Sequence, residues 1–372
     1  MKEYNEDDVI RLAKRINNNK RGYLIVDPLQ GKHIPVSPSV VCEMSKALGE
    51  LLLKTAGESR LIIGFAETAT ALGAIAAMSF PDDAVYLHTT REKIASGNIV
   101  SFCEEHSHAV DQIVECSYIS SVKTPTVIMI DDEISTGRTI ENIVTGLRET
   151  FPFLKNVGFV IGSIINRMSG EVRERLLAEN IEFVSLINTN AGDYEEQMKN
   201  IPVESPQTAE DIYSDYITCV LNARIPDLRT GMTIAEMKQG IDIVCEEIND
   251  ILSEICRGAE RLLVLGTEEC MTAAIETGKY IESRHSGMSV FTHSTTRSPI
   301  GINSEKDYPC RNGYILPSFY DSARTTFLYN IDSYDAVLLI TDSKNEPQIN
   351  TAMDKLAGVF REHCSKIILI RG

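Results

Sequence analysis

Val127-Ile-Met-Ile-Asp-Asp-Glu-Ile-Ser-Thr-Gly-Arg-Thr139 decides how this chain is read. Its apolar start predicts a buried strand that delivers two adjacent acids at its carboxyl end. A short turn with hydroxyls and a glycine follows, and then a helix. In open parallel sheets, ligands bind outside the carboxyl ends of the strands. The turn offers unobstructed backbone N–H groups, Ser135, Thr136 and Thr139 add hydroxyl donors, and the helix N-terminus adds its positive end. Together these form a socket for a terminal phosphate. Asp131 and Asp132, one strand-end away, suit the hydroxyls of a ribose attached to that phosphate. Adjacent acids before a turn are common on surfaces; the whole pattern at a strand–turn–helix junction is not.

Working outward, strands and helices alternate. Strands are predicted at Leu61–Phe65, Val85–His88, Val157–Ile165 and Phe183–Ile187, and helices at Thr70–Phe80 and Thr139–Thr150. Val9, Ile10, Leu12, Ala13 and Ile16 predict an amphipathic helix up to about Asn17. Leu24–Val26 reads as a short strand, Leu29–Pro35 as a loop with a charged centre, and Ser37-Pro38 as the start of a helix through Leu53. From Asn188 to Arg229 the pattern fades. Thr233-Ile-Ala-Glu236 is a capping box opening a long helix. A second series has strands near Leu262–Leu265, Ser289–Thr292, Ala336–Ile340 and Ile367–Ile370. The expected fold class is α/β, with two doubly wound domains and mainly parallel sheets. The expected domains are 1–200 and 231–372, joined by a connecting segment, 201–230.

With 372 residues, 43% hydrophobic and 24% charged, the chain has enough material for two ordinary cores. The net charge of −17 excludes a general nucleic-acid or anionic-membrane binder. No apolar run is long enough for a membrane span, and the polar start is no signal peptide, so a cytoplasmic location is expected. The nine cysteines show no Cys-x-x-Cys pair and read as reduced, mostly buried thiols.

The decisive segment resembles the signature of type I phosphoribosyltransferases. That resemblance implies that Asp131 and Asp132 bind the ribose of phosphoribosyl diphosphate and that Ser135, Thr136, Gly137, Arg138 and Thr139 bind its 5′-phosphate. Gly64-Phe-Ala-Glu-Thr-Ala-Thr70 looks like the diphosphate-binding loop, with Glu67 and Thr68 at its centre. Thr89-Thr-Arg-Glu-Lys93 stands where the family places cations, here Arg91 and Lys93. Residues 94–122 fall where the family has its mobile catalytic loop, with Glu104, Glu105, His106 and His108 as candidates for proton handling or acceptor binding. More narrowly, the chain resembles bacterial orotate-phosphoribosyltransferase-like proteins fused to a C-terminal TRSP domain, named for the tetrapeptide that stands here as Thr296-Arg-Ser-Pro299. The resemblance implies phosphoribosyl transfer to a base-like acceptor, Mg²⁺ held mainly by ligand and water near Asp131 and Asp132, a homo-oligomer, and an association with tellurite-resistance and stress gene sets. A regulator that senses phosphoribosyl diphosphate without catalysis, or a diphosphokinase that makes it, are the alternatives.

The two halves also resemble each other. Gly64-Phe-Ala-Glu-Thr-Ala-Thr-Ala71 aligns with Gly266-Thr-Glu-Glu-Cys-Met-Thr-Ala273, Thr89-Thr-Arg91 with Thr295-Thr-Arg297, and Val127–Asp132 with Val337–Asp342. The second half reads as a degenerate copy. Asp131 corresponds to Thr341, and Glu346-Pro347 removes both anion affinity and an N–H donor. Thr296, Arg297, Ser298 and Arg324, with Arg311 nearby in sequence, form a candidate site for a different anionic ligand. A structural or dimerising role is the equal alternative.

Overall fold

The computed structural model describes residues 2–16, 21–94, 98–102, 112–190 and 192–372. By internal packing the chain forms two compact units. One comprises Met1–Glu6, Glu43–Gly192 and Asp227–Lys238; the other comprises Asp7–Cys42, Asp193–Pro226 and Gln239–Gly372. The units interleave along the sequence, so the chain ahead of Cys42 belongs largely with the C-terminal series.

The N-terminal stretch departs from expectation. Instead of one amphipathic helix, it forms a single turn, α1 (Glu6–Val9), and a strand, β1 (Arg11–Lys14). β1 pairs antiparallel with β2 (Tyr23–Val26), placing Leu12 opposite Ile25. Apolar spacing that also suits a helix yields here to the strand partner Tyr23–Val26.

α2 (Pro38–Ala56) then leads into the first sheet: β3 (Leu61–Gly64), α3 (Thr70–Ala77), β4 (Val85–His88), the antiparallel hairpin β5 (Ile99–Phe102) and β6 (Gln112–Glu115), β7 (Thr126–Ile134), α4 (Arg138–Thr150), β8 (Gly158–Asn166), α5 (Gly170–Ala178) and β9 (Ile181–Asn188). The parallel order is β4-β3-β7-β8-β9. The Ile140, Ile143, Val144 and Leu147 side of α4 packs on Leu61, Ile63, Val127 and Met129. On the other side Tyr86 donates its hydroxyl to the Thr70 carbonyl of α3 at 2.7 Å. The sheet is therefore covered on both faces, as its near-continuous apolar strands require.

In the second unit, α6 (Tyr194–Lys199) precedes β10 (Gln207–Thr208) and β11 (Ile217–Val220), so the stretch where the sequence pattern fades supplies two edge strands. β12 (Met232–Thr233) returns to the first unit and pairs antiparallel with β4. α7 (Ile234–Ile255) opens with the predicted capping box: Glu236 N donates to Thr233 Oγ1 at 3.2 Å, and Thr233 N donates to Glu236 Oε2 at 2.9 Å. The second series follows as β13 (Arg261–Gly266), α8 (Thr272–Arg284), β14 (Ser289–Ser294), the antiparallel pair β15 (Gly313–Pro317) and β16 (Thr325–Tyr329), β17 (Tyr334–Thr341), α9 (Glu346–Phe360) and β18 (Cys364–Arg371). Its parallel order is β14-β13-β17-β18-β11. The first four repeat β4-β3-β7-β8, with a helix after the first and third strands in sequence and an antiparallel pair before the third. Among the described residues, no helix is long and apolar enough to cross a membrane, and no disulfide joins the cysteines.

Candidate functional site at the carboxyl edge of the first sheet

The chain leaves β3 for β4 on one side and later returns to place β7 on the other, so the sheet reverses its winding between β3 and β7. Ligand crevices form at such switch points. Register fixes what stands there. Gly64 is opposite both His88 and Ile130, so the turns after β3 and β4 and the acids at the end of β7 share one edge.

The turn after β3 is tied to its neighbours. Thr89 N donates to Gly64 O at 2.9 Å and Phe65 N to Ile130 O at 2.9 Å. Ala66 N donates to Thr89 Oγ1 at 2.8 Å, while Gln112 Nε2 donates to Ala66 O at 2.8 Å. Thr89 Oγ1 also hydrogen-bonds Gln112 Oε1. The turn is thus a fixed frame in which Glu67 is buried and Thr68 half-buried. Gly64 has to be glycine: a Cβ there would lie 2.3 Å from the Tyr86 hydroxyl.

β7 runs further than its apolar residues predict, through Asp131, Asp132 and Glu133 to Ile134. Asp131 and Asp132 are partly exposed, and Asp132 N donates to Asp131 Oδ1 at 2.9 Å. The turn into α4 depends on Gly137, whose φ of 77° is left-handed and which stands at the helix N-cap. Thr136 and Arg138 are exposed, and Ser135 and Thr139 half-buried. The first-turn acid of α4, Glu141, is held by Arg175 at 2.5 and 2.9 Å, a bond that keeps its carboxyl below the usual range. Arg91 is half-buried and Lys93 exposed beyond β4. Glu104, Glu105, His106 and His108 lie outside the described residues. Two residues that sequence reasoning missed complete the edge: Arg167, at the end of β8, donates Nε to Glu133 Oε1 at 2.9 Å, with only 3% of its side chain exposed. An arginine just after a strand, level with an acid of the neighbouring strand, is the signal that could have found them. Among the described residues, no group of three or more His, Cys, Asp or Glu could hold a metal ion.

The second sheet repeats the frame but not the site. Thr295 N donates to Gly266 O at 3.1 Å and Glu268 N to Thr295 Oγ1 at 2.9 Å, as Thr89 does for Gly64 and Ala66. Thr90 bridges Ile113 and Thr296 bridges Phe327 in the same antiparallel sense. At the end of β17 the acids give way to the buried Thr341 and, just beyond it, Asp342, whose Oδ1 accepts the Tyr320 hydroxyl at 2.5 Å. α9 begins at Glu346 with Pro347 in its first turn. Arg297 and Arg324 converge, whereas Thr296 and Ser298 build the turn, Ser298 N donating to Thr296 Oγ1 at 3.2 Å. Arg311 lies apart from them, lining a cavity of about 430 Å³ with Arg261, the first residue of β13.

Residues 9–190 match a family described as phosphoribosyl transferase, and residues 228–356 match the TRSP domain that lies C-terminal to it. Among solved structures, adenine phosphoribosyltransferases from Trypanosoma brucei and Rhodothermus marinus are 16% and 18% identical, with TM-scores of 0.35 and 0.36; each match covers 49% of this chain and 77% or 96% of theirs. The orotate phosphoribosyltransferase from Aeropyrum pernix is 19% identical, covering 52% of this chain and 93% of that one, with a TM-score of 0.32. No curated protein matches the chain. The chain belongs to the family in which a phosphoribosyltransferase domain is followed by a TRSP domain.

Proposed function

We propose that the chain is a type I phosphoribosyltransferase that moves the phosphoribosyl group of phosphoribosyl diphosphate onto a base-like acceptor and releases diphosphate. The observation that carries this is the meeting, at one switch point, of three parts. These are the framed turn after β3, the Asp131–Asp132 pair and the left-handed Gly137 turn at the start of α4. The α4 turn takes the 5′-phosphate on its N–H groups and hydroxyls. Asp131 and Asp132 hold the ribose hydroxyls and face the positive charge that develops on the ring as the anomeric C–O bond breaks. Arg91 and Lys93 neutralise the leaving diphosphate, to which the bond's electron pair departs while an acceptor nitrogen forms the new bond.

Mg²⁺ fits this donor set, since the available side-chain ligands are the partly exposed oxygens of Asp131 and Asp132. When bound, it adds positive charge beside the diphosphate. Glu105, His106 and His108, outside the described residues, are proposed for the acceptor's proton. The second unit is a degenerate copy of the first: the repeated strand order and the matching threonine bonds support this.

The test is a screen of bases and base-like metabolites with phosphoribosyl diphosphate and Mg²⁺, following diphosphate release by phosphorus NMR. Acceptor-dependent release is expected. Tight binding of phosphoribosyl diphosphate with no release for any acceptor would favour the sensing regulator instead. ATP-dependent consumption of ribose 5-phosphate would point to the diphosphokinase.

A further inference from the structure

In the first unit the turn position that bonds the threonine of the next strand is Ala66, with no charge of its own. In the second unit the same position is Glu268. Its carboxylate is wholly buried. Arg297 donates Nε to Oε2 at 2.9 Å, Arg324 donates from its guanidinium to the same oxygen at 3.1 Å, and Ser318 donates its hydroxyl to Oε1 at 2.5 Å. Lys32, also wholly buried, donates to the Glu268 and Thr295 carbonyls at 2.9 and 3.1 Å. Two guanidinium groups and a hydroxyl on the carboxylate, with an ammonium on the adjoining main-chain carbonyls, are donors a phosphate-class anion would use. Here they meet a carboxylate belonging to the chain, while Glu269 lies 3.6 Å from Arg297 and Asp321 3.7 Å from Arg324. Glu268 also has φ 46°, in the left-handed region that a non-glycine residue adopts at a cost. A buried charge held on strained backbone indicates that the surrounding donors dictate its position.

We propose that Glu268 is a built-in anion: its carboxylate fills the oxyanion cradle of the second unit, so the native chain has a closed site there, and removing the carboxylate opens a binding site for phosphate-class anions. This rests on the degenerate-copy reading and explains why the Thr296–Ser298 turn keeps its arginine without serving as a second phosphoribosyl diphosphate site. Arg297 and Arg324 keep 10% and 21% of their side chains exposed, so an anion has access to them.

Glu268→Ala gives the second turn the residue of the first. Isothermal titration with inorganic diphosphate should show one more equivalent bound per chain in the variant than in the native protein. Glu268→Ala combined with Arg297→Ala should lose that equivalent. The first unit contributes equally to both proteins and cancels. A native chain that binds no diphosphate would therefore count against the proposed function while leaving a gained equivalent intact. A folded variant with no gained equivalent overturns the proposal. If Glu268→Ala does not fold in chloride buffer, Glu268→Gly, which suits the φ of 46°, is examined alongside it in phosphate. Recovery of the native near-ultraviolet circular dichroism in phosphate but not chloride supports the built-in anion, and failure in both buffers overturns it.

Discussion

Glu133 and Arg167 join the ends of two neighbouring strands: Arg167 Nε lies 2.9 Å from Glu133 Oε1, with 3% and 11% of the two side chains exposed. The pair sits directly beyond Asp131 and Asp132 and fixes the spacing of β7 and β8 at the candidate edge. Removing one partner of a buried ion pair leaves the other charge uncompensated, which costs about 3–5 kcal/mol. Arg167→Met should therefore lower urea-unfolding stability by roughly that amount, whereas Glu133→Gln combined with Arg167→Met should recover much of it. Equal losses in the single and double variants would show that the pair contributes packing and not charge compensation.

Gly137 carries the turn proposed to take the 5′-phosphate. Its φ of 77° disfavours any Cβ, and a Cβ there would also meet Met168 Sδ at 3.0 Å and Leu176 Cδ1 at 3.1 Å. Gly137→Ala should cost about 1–3 kcal/mol of stability from the left-handed backbone alone. Because the same turn presents the N–H groups, ribose 5-phosphate affinity should fall as well. A variant with native affinity would move the phosphate site away from this turn.

Much of this edge was legible because it is local. The Val127–Thr139 segment carries strand, acids, turn and helix in one run, and the order of elements follows from it. Asp131 and Asp132 still fall on the strand and not beyond it, because pairing with β8 extends β7 past its apolar residues. The rest was illegible where partners are remote. Lys32 reads as the charged centre of a loop, and it is wholly buried, with acceptors at Glu268 and Thr295 far along the chain. The segment Arg11–Lys14 has apolar spacing compatible with a helix, and only its pairing with Tyr23–Val26 makes it a strand. Glu268 gave no sequence signal beyond its alignment with Ala66; its meaning lies in the two arginines that close on it.

The two ends of the proposed ligand should separate by mutation. Asp131→Asn with Asp132→Asn removes the proposed ribose partners, so phosphoribosyl diphosphate and ribose 5-phosphate should both bind more weakly. Arg91→Ala removes a cation only from the diphosphate end. It should weaken diphosphate and phosphoribosyl diphosphate about tenfold or more, the worth of a hydrogen bond to a charged group, and spare ribose 5-phosphate. Titration calorimetry with the three ligands reads the pattern. Equal loss for all three in Arg91→Ala would make that arginine structural.

The second unit should be labile to acid through two buried histidines. Burial pulls the His33 pKa from 6.5 down to about 3, helped by the charges of Lys32, His293 and Arg15. Burial likewise pulls His293 to about 4, against bonds to the carbonyls of Tyr329 and Gly31. Both rings are therefore neutral in the folded state, while in the unfolded chain they protonate below about pH 6.5. The unfolded state then binds more protons, so stability is complete above pH 6.5 and declines as pH falls toward 4 and then 3. Each histidine contributes a slope of about 1.4 kcal/mol per pH unit within that window, or about 2 kcal/mol between pH 6.5 and 5. Among the described residues, neither ring nitrogen of His33 has a hydrogen-bond partner. His33→Phe should thus leave stability at pH 7 nearly unchanged while removing its share of the acid slope. Urea unfolding of both proteins at pH 7, 6 and 5 measures this. Parallel stability profiles would mean that His33 takes up its proton over the same pH range in the folded and unfolded chains, and that burial and the neighbouring charges do not keep it neutral.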